Sequence, residues 1–152
     1  MMFDEQMTAF LESVHSAAMI TYRRDGTAHA VRIGVALVES KLWSSGTQSR
    51  LRTRLLRRDP RSTLFVFDNE WRWMTLECTV NILEGPDAPE QNLRLFRVMQ
   101  REMGVEGYRI LWYGQPKTPE EFLQTMRAEG RLVYEFEVRR AYGMYGGAPA
   151  RS

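Results

Sequence analysis

Twelve residues from Arg50 to Arg61 carry six arginines, in the run Ser49-Arg50-Leu51-Arg52-Thr53-Arg54-Leu55-Leu56-Arg57-Arg58-Asp59-Pro60-Arg61. A guanidinium is a planar fork that can hold a phosphate or carboxylate through two parallel hydrogen bonds, which an ammonium cannot do. The run follows Ser44-Ser45-Gly46-Thr47, a stretch rich in hydroxyls and glycine. If the arginines open a helix, its unpaired N–H groups and positive dipole end supply further donors. Ser45, Thr47 and Ser49, with Arg50, Arg52 and Thr53 in the first turn, then form a candidate phosphate cradle. The alternative is a solvated cationic face with pairing along the helix, the usual meaning of a charge run. Arg50, Arg54, Arg57, Arg58 and Arg61 fall along one polar arc that suits this alternative, while Arg52 lies elsewhere around the helix. Placement directly after a hydroxyl-rich strand end favours the cradle.

Nothing else in the chain offers a nucleophile, a metal cluster or a general acid–base pair, so no catalytic residue and no metal site are assigned. Cys78 alternates with Leu76 and Val80 and reads as a buried, inert thiol. His15 ends an amphipathic segment, where its protonated form would suit a negative helix end, and His29 begins a strand. Neither has a third partner at metal-like spacing. Glu77 is expected at a barrel surface or interface, and Trp71, Trp73, Trp112 and Tyr113 in the core or at an interface. Tyr145 is open between capping a substrate pocket and belonging to a mobile tail.

The elements that must position these residues are read from hydrophobic spacing. Residues 4–15 form a short amphipathic helix with Met7, Phe10, Leu11 and Val14 on one face. Strands follow over residues 18–23 and 28–38, joined by a turn at Asp25-Gly26, and then over 41–45. The arginine helix is expected over 48–58 with Leu51, Leu55 and Leu56 inward, ending at Asp59-Pro60. Strands at 62–68 and 72–83 come next, the second turning Met74, Leu76, Cys78, Val80 and Ile82 to the core. A helix opens at Asp87 with Glu90 as capping partner and runs to about Met103, with Leu93, Phe96, Met99 or Val98, and Met103 as its stripe. Thr118-Pro119-Glu120-Glu121 opens a further helix that stops at Gly130. Residues 131–139 form the last strand, with Leu132, Tyr134, Phe136 and Val138 inward, and a loop-like tail follows over 143–147. One domain spans residues 1–152, mainly β with helical insertions: a six-stranded antiparallel split β-barrel.

Composition bounds the partners. The net charge of +2 is close to balanced, whereas a nucleic-acid module carries a broader basic footprint. The longest apolar runs are far too short for a bilayer, and the acidic start (Asp4, Glu5) is unlike a secretory leader. A cytoplasmic protein with no nucleic-acid and no membrane partner is expected.

Three features together carry a family resemblance. They are the strand, Asp-Gly turn, strand, strand order; the helix from Arg50-Leu51-Arg52-Thr53 to Leu55-Leu56-Arg57-Arg58-Asp59-Pro60-Arg61; and the closing Ala141-Tyr142-Gly143-Met144. Over roughly residues 10–147 the chain resembles the pyridoxamine 5'-phosphate oxidase-like split-barrel superfamily, and within it the B branch of the flavin/deazaflavin oxidoreductases. The resemblance implies that Arg50, Arg52 and Thr53, with Ser45, grip a cofactor's phosphate. It also implies that Val31, Arg32, Ile33 and Gly34 on the second strand lie against the flat ring. The family has Pro or a small polar residue where Arg32 stands, often Lys in place of Arg52, and often Gly in place of Cys78.

The implied activity is hydride transfer from reduced coenzyme F420 to an unsaturated small-molecule acceptor, with the barrel supplying orientation and electrostatics. The alternative cofactor is FMN, whose single phosphate needs fewer cations. A nucleic-acid-binding module using the arginine helix is the reading from another class. The resemblance, together with four Trp in so small a barrel, implies a homodimer, since an open sheet surface calls for a twofold partner.

Overall fold

The computed structural model describes residues 2–146. Its centre is a curled antiparallel sheet of seven strands. In chain order these are β1 (Ser16–Tyr22), β2 (Ala28–Gly34), β3 (Ala36–Val38), β4 (Lys41–Thr47), β5 (Arg61–Phe67), β6 (Trp73–Leu83) and β9 (Arg131–Met144). Across the sheet they run β2-β1-β5-β6-β9-β4-β3. The two outermost strands, β2 and β3, are consecutive in the chain with only Val35 between them. The sheet therefore curls until its first and last strands meet at one corner. The single segment expected over 28–38 serves both edges, which explains why six strands were expected. Its middle bends because its first half pairs with β1 and its second with β4.

Hydrogen bonds pin that corner from both sides. Val35 N–H donates to the His15 carbonyl at 2.8 Å, and His15 Nδ1–H donates back to the Val35 carbonyl at 2.8 Å. The Ser44 hydroxyl on β4 donates to the Gly34 carbonyl on β2 at 2.7 Å. His15 thus fastens the barrel corner and does not sit on a helix end, since α1 (Glu5–Ser13) stops before it.

Four helices surround the sheet: α1, α2 (Leu51–Arg58), α3 (Ala88–Glu102) and α4 (Pro119–Ala128). Helix α1 closes one barrel mouth with Met7, Phe10 and Leu11 buried, its start capped by the Asp4 carboxylate accepting from Met7 N–H. Helix α4 begins with the reciprocal box expected at Thr118 and Glu121. The Thr118 N–H donated to the Glu121 carboxylate, with the Thr118 hydroxyl beside it, holds that carboxyl below its ordinary range. At α3 the expected box is absent: Asp87 itself sits in the helical region of backbone space and makes no side-chain cap. Met103 is exposed, and the buried positions of α3 are Ala88, Asn92 and Leu95. Because α3 lies over the outer face of β9, Val133 is as fully buried as the inward residues Leu132 and Tyr134.

Two short strands, β7 (Ile110–Trp112) and β8 (Gln115–Lys117), form a separate hairpin that the hydrophobic spacing does not reveal. Strand β9 also runs on to Met144, five residues past the expected end. Gly143 makes that extension possible. It has φ +155°, and a Cβ there would overlap the Trp73 carbonyl of β6, so only glycine fits. The part of the tail at residue 147 lies outside the described residues. Among the described residues, no helix is long and apolar enough to cross a membrane.

Candidate functional site

A cavity of about 300 Å³ opens beside the barrel corner. Arg32, Ile33 and Gly34 of β2 form its floor. One wall is polar: Ser44 and Ser45 on β4, with Arg50 and Arg52 at the start of α2. The opposite wall is apolar, from Phe96 and Met99 on α3 and from Trp112 and Tyr113 on the hairpin. Arg131, the first residue of β9, stands between the walls.

The polar wall follows from how α2 sits. Its inward face is Arg52, Thr53 and Leu56, whereas Leu51 is exposed. The helix is thus rotated from the leucine face that spacing suggests. Thr53 sets this rotation. Its hydroxyl donates to the Thr47 carbonyl at 2.6 Å, and its oxygen in turn accepts from the buried Tyr134 hydroxyl. The Tyr134 ring lies against Gly46, where any side chain would overlap it. Fixed in this way, Arg52 is carried inward to 8% exposure, its guanidinium carbon 5.8 Å from the Tyr134 ring centre.

Arg52 is electrostatically costly in this place. Burial lowers its pKa from the ordinary value; the Tyr134 hydroxyl opposes that shift, while neighbouring Arg50 and Arg131 add to it. Among the described residues, the buried atoms without a hydrogen-bond partner include Ser45 Oγ, Arg50 Nε and Arg52 Nε, all three on this wall. The start of α2 adds to the deficit, because its N-cap residue, Arg50, offers no side-chain acceptor. Buried donors left unpaired are expensive, and the guanidinium and hydroxyl side chains that line the cavity suit an anion. The residues present therefore fit a phosphate-bearing group.

The other arginines of the run behave differently. Arg57 pairs with Glu84 at 2.7 Å, Arg58 donates to the Tyr22 carbonyl at 2.7 Å, and Arg61 pairs with Asp59 at 2.8 Å. The run thus divides: its first residues face the cavity, and its last are tied to the barrel surface.

Of the eight residues singled out from the sequence, Arg32, Ile33, Gly34, Ser45, Arg50 and Arg52 line this one cavity. Val31 and Thr53 do not. Val31 points to the barrel interior and packs on the main core, and Thr53 is fully buried and holds the helix in place. Sequence reasoning missed Arg131, Phe96, Met99, Trp112 and Tyr113 as cavity residues. Antiparallel pairing brings Arg131 there, since the entry of β9 lies beside the exit of β4, with Arg131 opposite Thr47. Its guanidinium pairs with Glu129 at 2.8 Å and lies 4.7 Å from the Trp112 ring centre.

The remaining candidates fall elsewhere. Cys78 is buried, and burial pushes its thiol up to about 12, with the nearby Glu77 charge adding. The thiolate is therefore scarce until pH approaches that value, so at pH 8 alkylation by iodoacetamide should proceed only as fast as the protein unfolds. Rapid labelling of native protein would contradict the burial. Glu77 lies on the outer sheet face and accepts from the Tyr142 hydroxyl at 3.1 Å. The Tyr145 ring packs beside Phe10 of α1, with centroids 6.1 Å apart, and is not part of this cavity's described lining.

Sheet order and corner closure define the class: a split β-barrel. The chain belongs to the pyridoxamine 5'-phosphate oxidase family, whose sequence profile matches residues 3–145. Among solved structures it is similar to the conserved protein Rv2991 of Mycobacterium tuberculosis, with a TM-score of 0.72 and 21% identity over 100% of this chain and 92% of that one. An F420 reductase aligns with a TM-score of 0.66 and 18% identity, over 92% of this chain and 98% of the other. General Stress Protein 26 of Bacillus anthracis aligns with a TM-score of 0.64 and 12% identity, over 94% of each chain. At these identities the likeness is one of fold. No curated protein matches the chain.

Proposed function

We propose that this protein is an oxidoreductase that binds coenzyme F420 and directs its hydride to an unsaturated organic acceptor. The observation that carries the reading is the set of unpaired buried donors, Ser45 Oγ, Arg50 Nε and Arg52 Nε, on one wall of one cavity. Several cations suit a tail with several separated anionic groups better than a single phosphate, which favours the deazaflavin over FMN. When bound, the deazaflavin supplies the hydride.

The chain's own residues bind and orient. Ser45, Arg50 and Arg52 would hold the anionic tail, and Arg32, Ile33 and Gly34 the ring. At Gly34 a Cβ would stand 3.4 Å from Met99 Sδ, so the flexible Met99 side chain covers this residue and would move aside for a flat group. Phe96 and Met99 keep the facing wall dry. A nucleic-acid role is less well supported, because Arg57, Arg58 and Arg61 are already engaged within the chain.

The working form proposed is a cytoplasmic homodimer. Phe65, Phe67, Trp73, Tyr142 and Met144 make a continuous patch on the outer face of β5, β6 and β9, with Phe65 ring centroids 5.4 and 5.6 Å from those of Phe67 and Trp73. A second copy of the chain would cover it. Titration of the purified protein with oxidised F420 and with FMN, alongside light scattering at micromolar concentration, tests the whole reading. Selective deazaflavin binding by a dimer is expected. Tighter FMN binding would replace the cofactor, and a monomer would remove the assembly.

A further inference from the structure

The tip of the β7–β8 hairpin holds an aromatic residue where the backbone disfavours one. Trp112 pairs with Gln115 across a two-residue turn, and both central residues have positive φ, Tyr113 at 49° and Gly114 at 76°. That is the pattern of a type I′ turn, whose first position favours Asn, Asp or Gly, because an L-residue with a bulky side chain is strained there. Tyr113 gains little from the protein in return. It is 79% exposed, and its aromatic partner among the described residues is Trp112, edge to face at 4.9 Å. The β3–β4 turn offers a comparison: Glu39 also takes the first position with positive φ, and there its carboxylate pairs with Arg94 at 2.7 Å.

The hairpin is held firmly while its tip is left free. Leu111 N–H donates to Gln100 Oε1 at 2.6 Å. Trp112 is wedged against Phe96 and Phe122, with centroids 5.3 and 5.8 Å away, and over Arg131. Tyr113 is therefore presented at a fixed place on the mouth of the cavity it lines.

We propose that Tyr113 is a specificity-determining residue: a rim whose ring stacks on a flat, conjugated acceptor as it enters the cavity. This rests on the oxidoreductase reading above. The turn tolerates local strain because the aromatic face serves a ligand, a trade of stability for function.

The test compares Tyr113→Asn and Tyr113→Phe with wild type, by calorimetric titration of the cofactor-free protein with menadione, a flat bicyclic quinone, and with the compact 2-cyclohexenone. Tyr113→Asn should weaken menadione binding about five- to tenfold, the range of an aromatic stacking contact. Tyr113→Phe should bind as wild type does, and cyclohexenone affinity should be alike in all three. Since Asn suits the turn, the Tm of Tyr113→Asn should equal or exceed that of wild type. Unchanged menadione affinity in Tyr113→Asn would overturn the proposal. So would a Tm several degrees lower, which would make the ring structural, or an equal loss of F420 affinity, which would assign it to the cofactor. Failure of the oxidoreductase reading shows separately, as wild-type protein that binds neither F420 nor FMN; the menadione comparison still decides the role of Tyr113.

Discussion

Arg52→Ala is expected to weaken the binding of oxidised F420 by about tenfold or more, with no loss of stability in the cofactor-free protein. A hydrogen bond to a charged partner is worth roughly 1.5–3 kcal/mol, and each 1.4 kcal/mol is a factor of about ten in affinity. Arg52 is buried, has no carboxylate partner among the described residues and stands near two like charges. In the free protein its guanidinium carries a desolvation cost that Tyr134 offsets only in part, so truncation relieves that cost even as it removes packing against Tyr134. The Tm should thus stay level or rise while affinity falls. Arg52→Lys keeps the charge but loses the planar fork, and should fall between the two. Arg57→Ala, which removes a surface pair with Glu84, should leave affinity unchanged. Equal F420 binding by wild type and Arg52→Ala would move the anion site elsewhere.

Gly46→Ala should damage both fold and site. Its methyl would overlap the ring of Tyr134, a fully buried side chain with no room to retreat. Overpacking of this kind costs about 1–3 kcal/mol, a substantial share of a domain's usual margin. The Tm should fall by roughly 2–4 °C for each kcal/mol. Because Tyr134 also donates to Thr53, displacing it frees the start of α2, and F420 affinity should fall along with stability. Tyr134→Phe removes only the hydroxyl and should cost about 1 kcal/mol. A Gly46→Ala protein with wild-type Tm, measured by thermal melting, would show that the ring can move and that α2 is not fixed as described.

Local chemistry was legible wherever a residue's role depends on its near neighbours. The Thr118–Glu121 box, the Asp25-Gly26 turn and the inward faces of β6 and β9 follow from spacing alone, and the structure has them as expected. The cationic wall was legible for the same reason, since Ser45, Arg50 and Arg52 are close in the chain. Arg131 was not, because only the β4–β9 register brings it within reach of residues about eighty positions earlier. The rotation of α2 was hidden similarly: Leu51 looks like a core residue until Thr53 finds the Tyr134 hydroxyl on a distant strand. Strands β7 and β8 are three residues each, too short for alternation to register, and their turn carries Tyr where a sequence reader looks for Asn. The residue that hides the hairpin is the one proposed to meet the ligand.

The place of β9 in the sheet bears on how the chain reaches its native state during synthesis. It is the last strand among the described residues, yet it lies between β4 and β6, so while residues up to Gly130 emerge from the ribosome both of those strands present bare N–H and C=O groups along one edge. Sheets completed by distant segments form slowly, and unpaired edges invite other chains. Until β9 pairs there, that gap is open to the wrong strand.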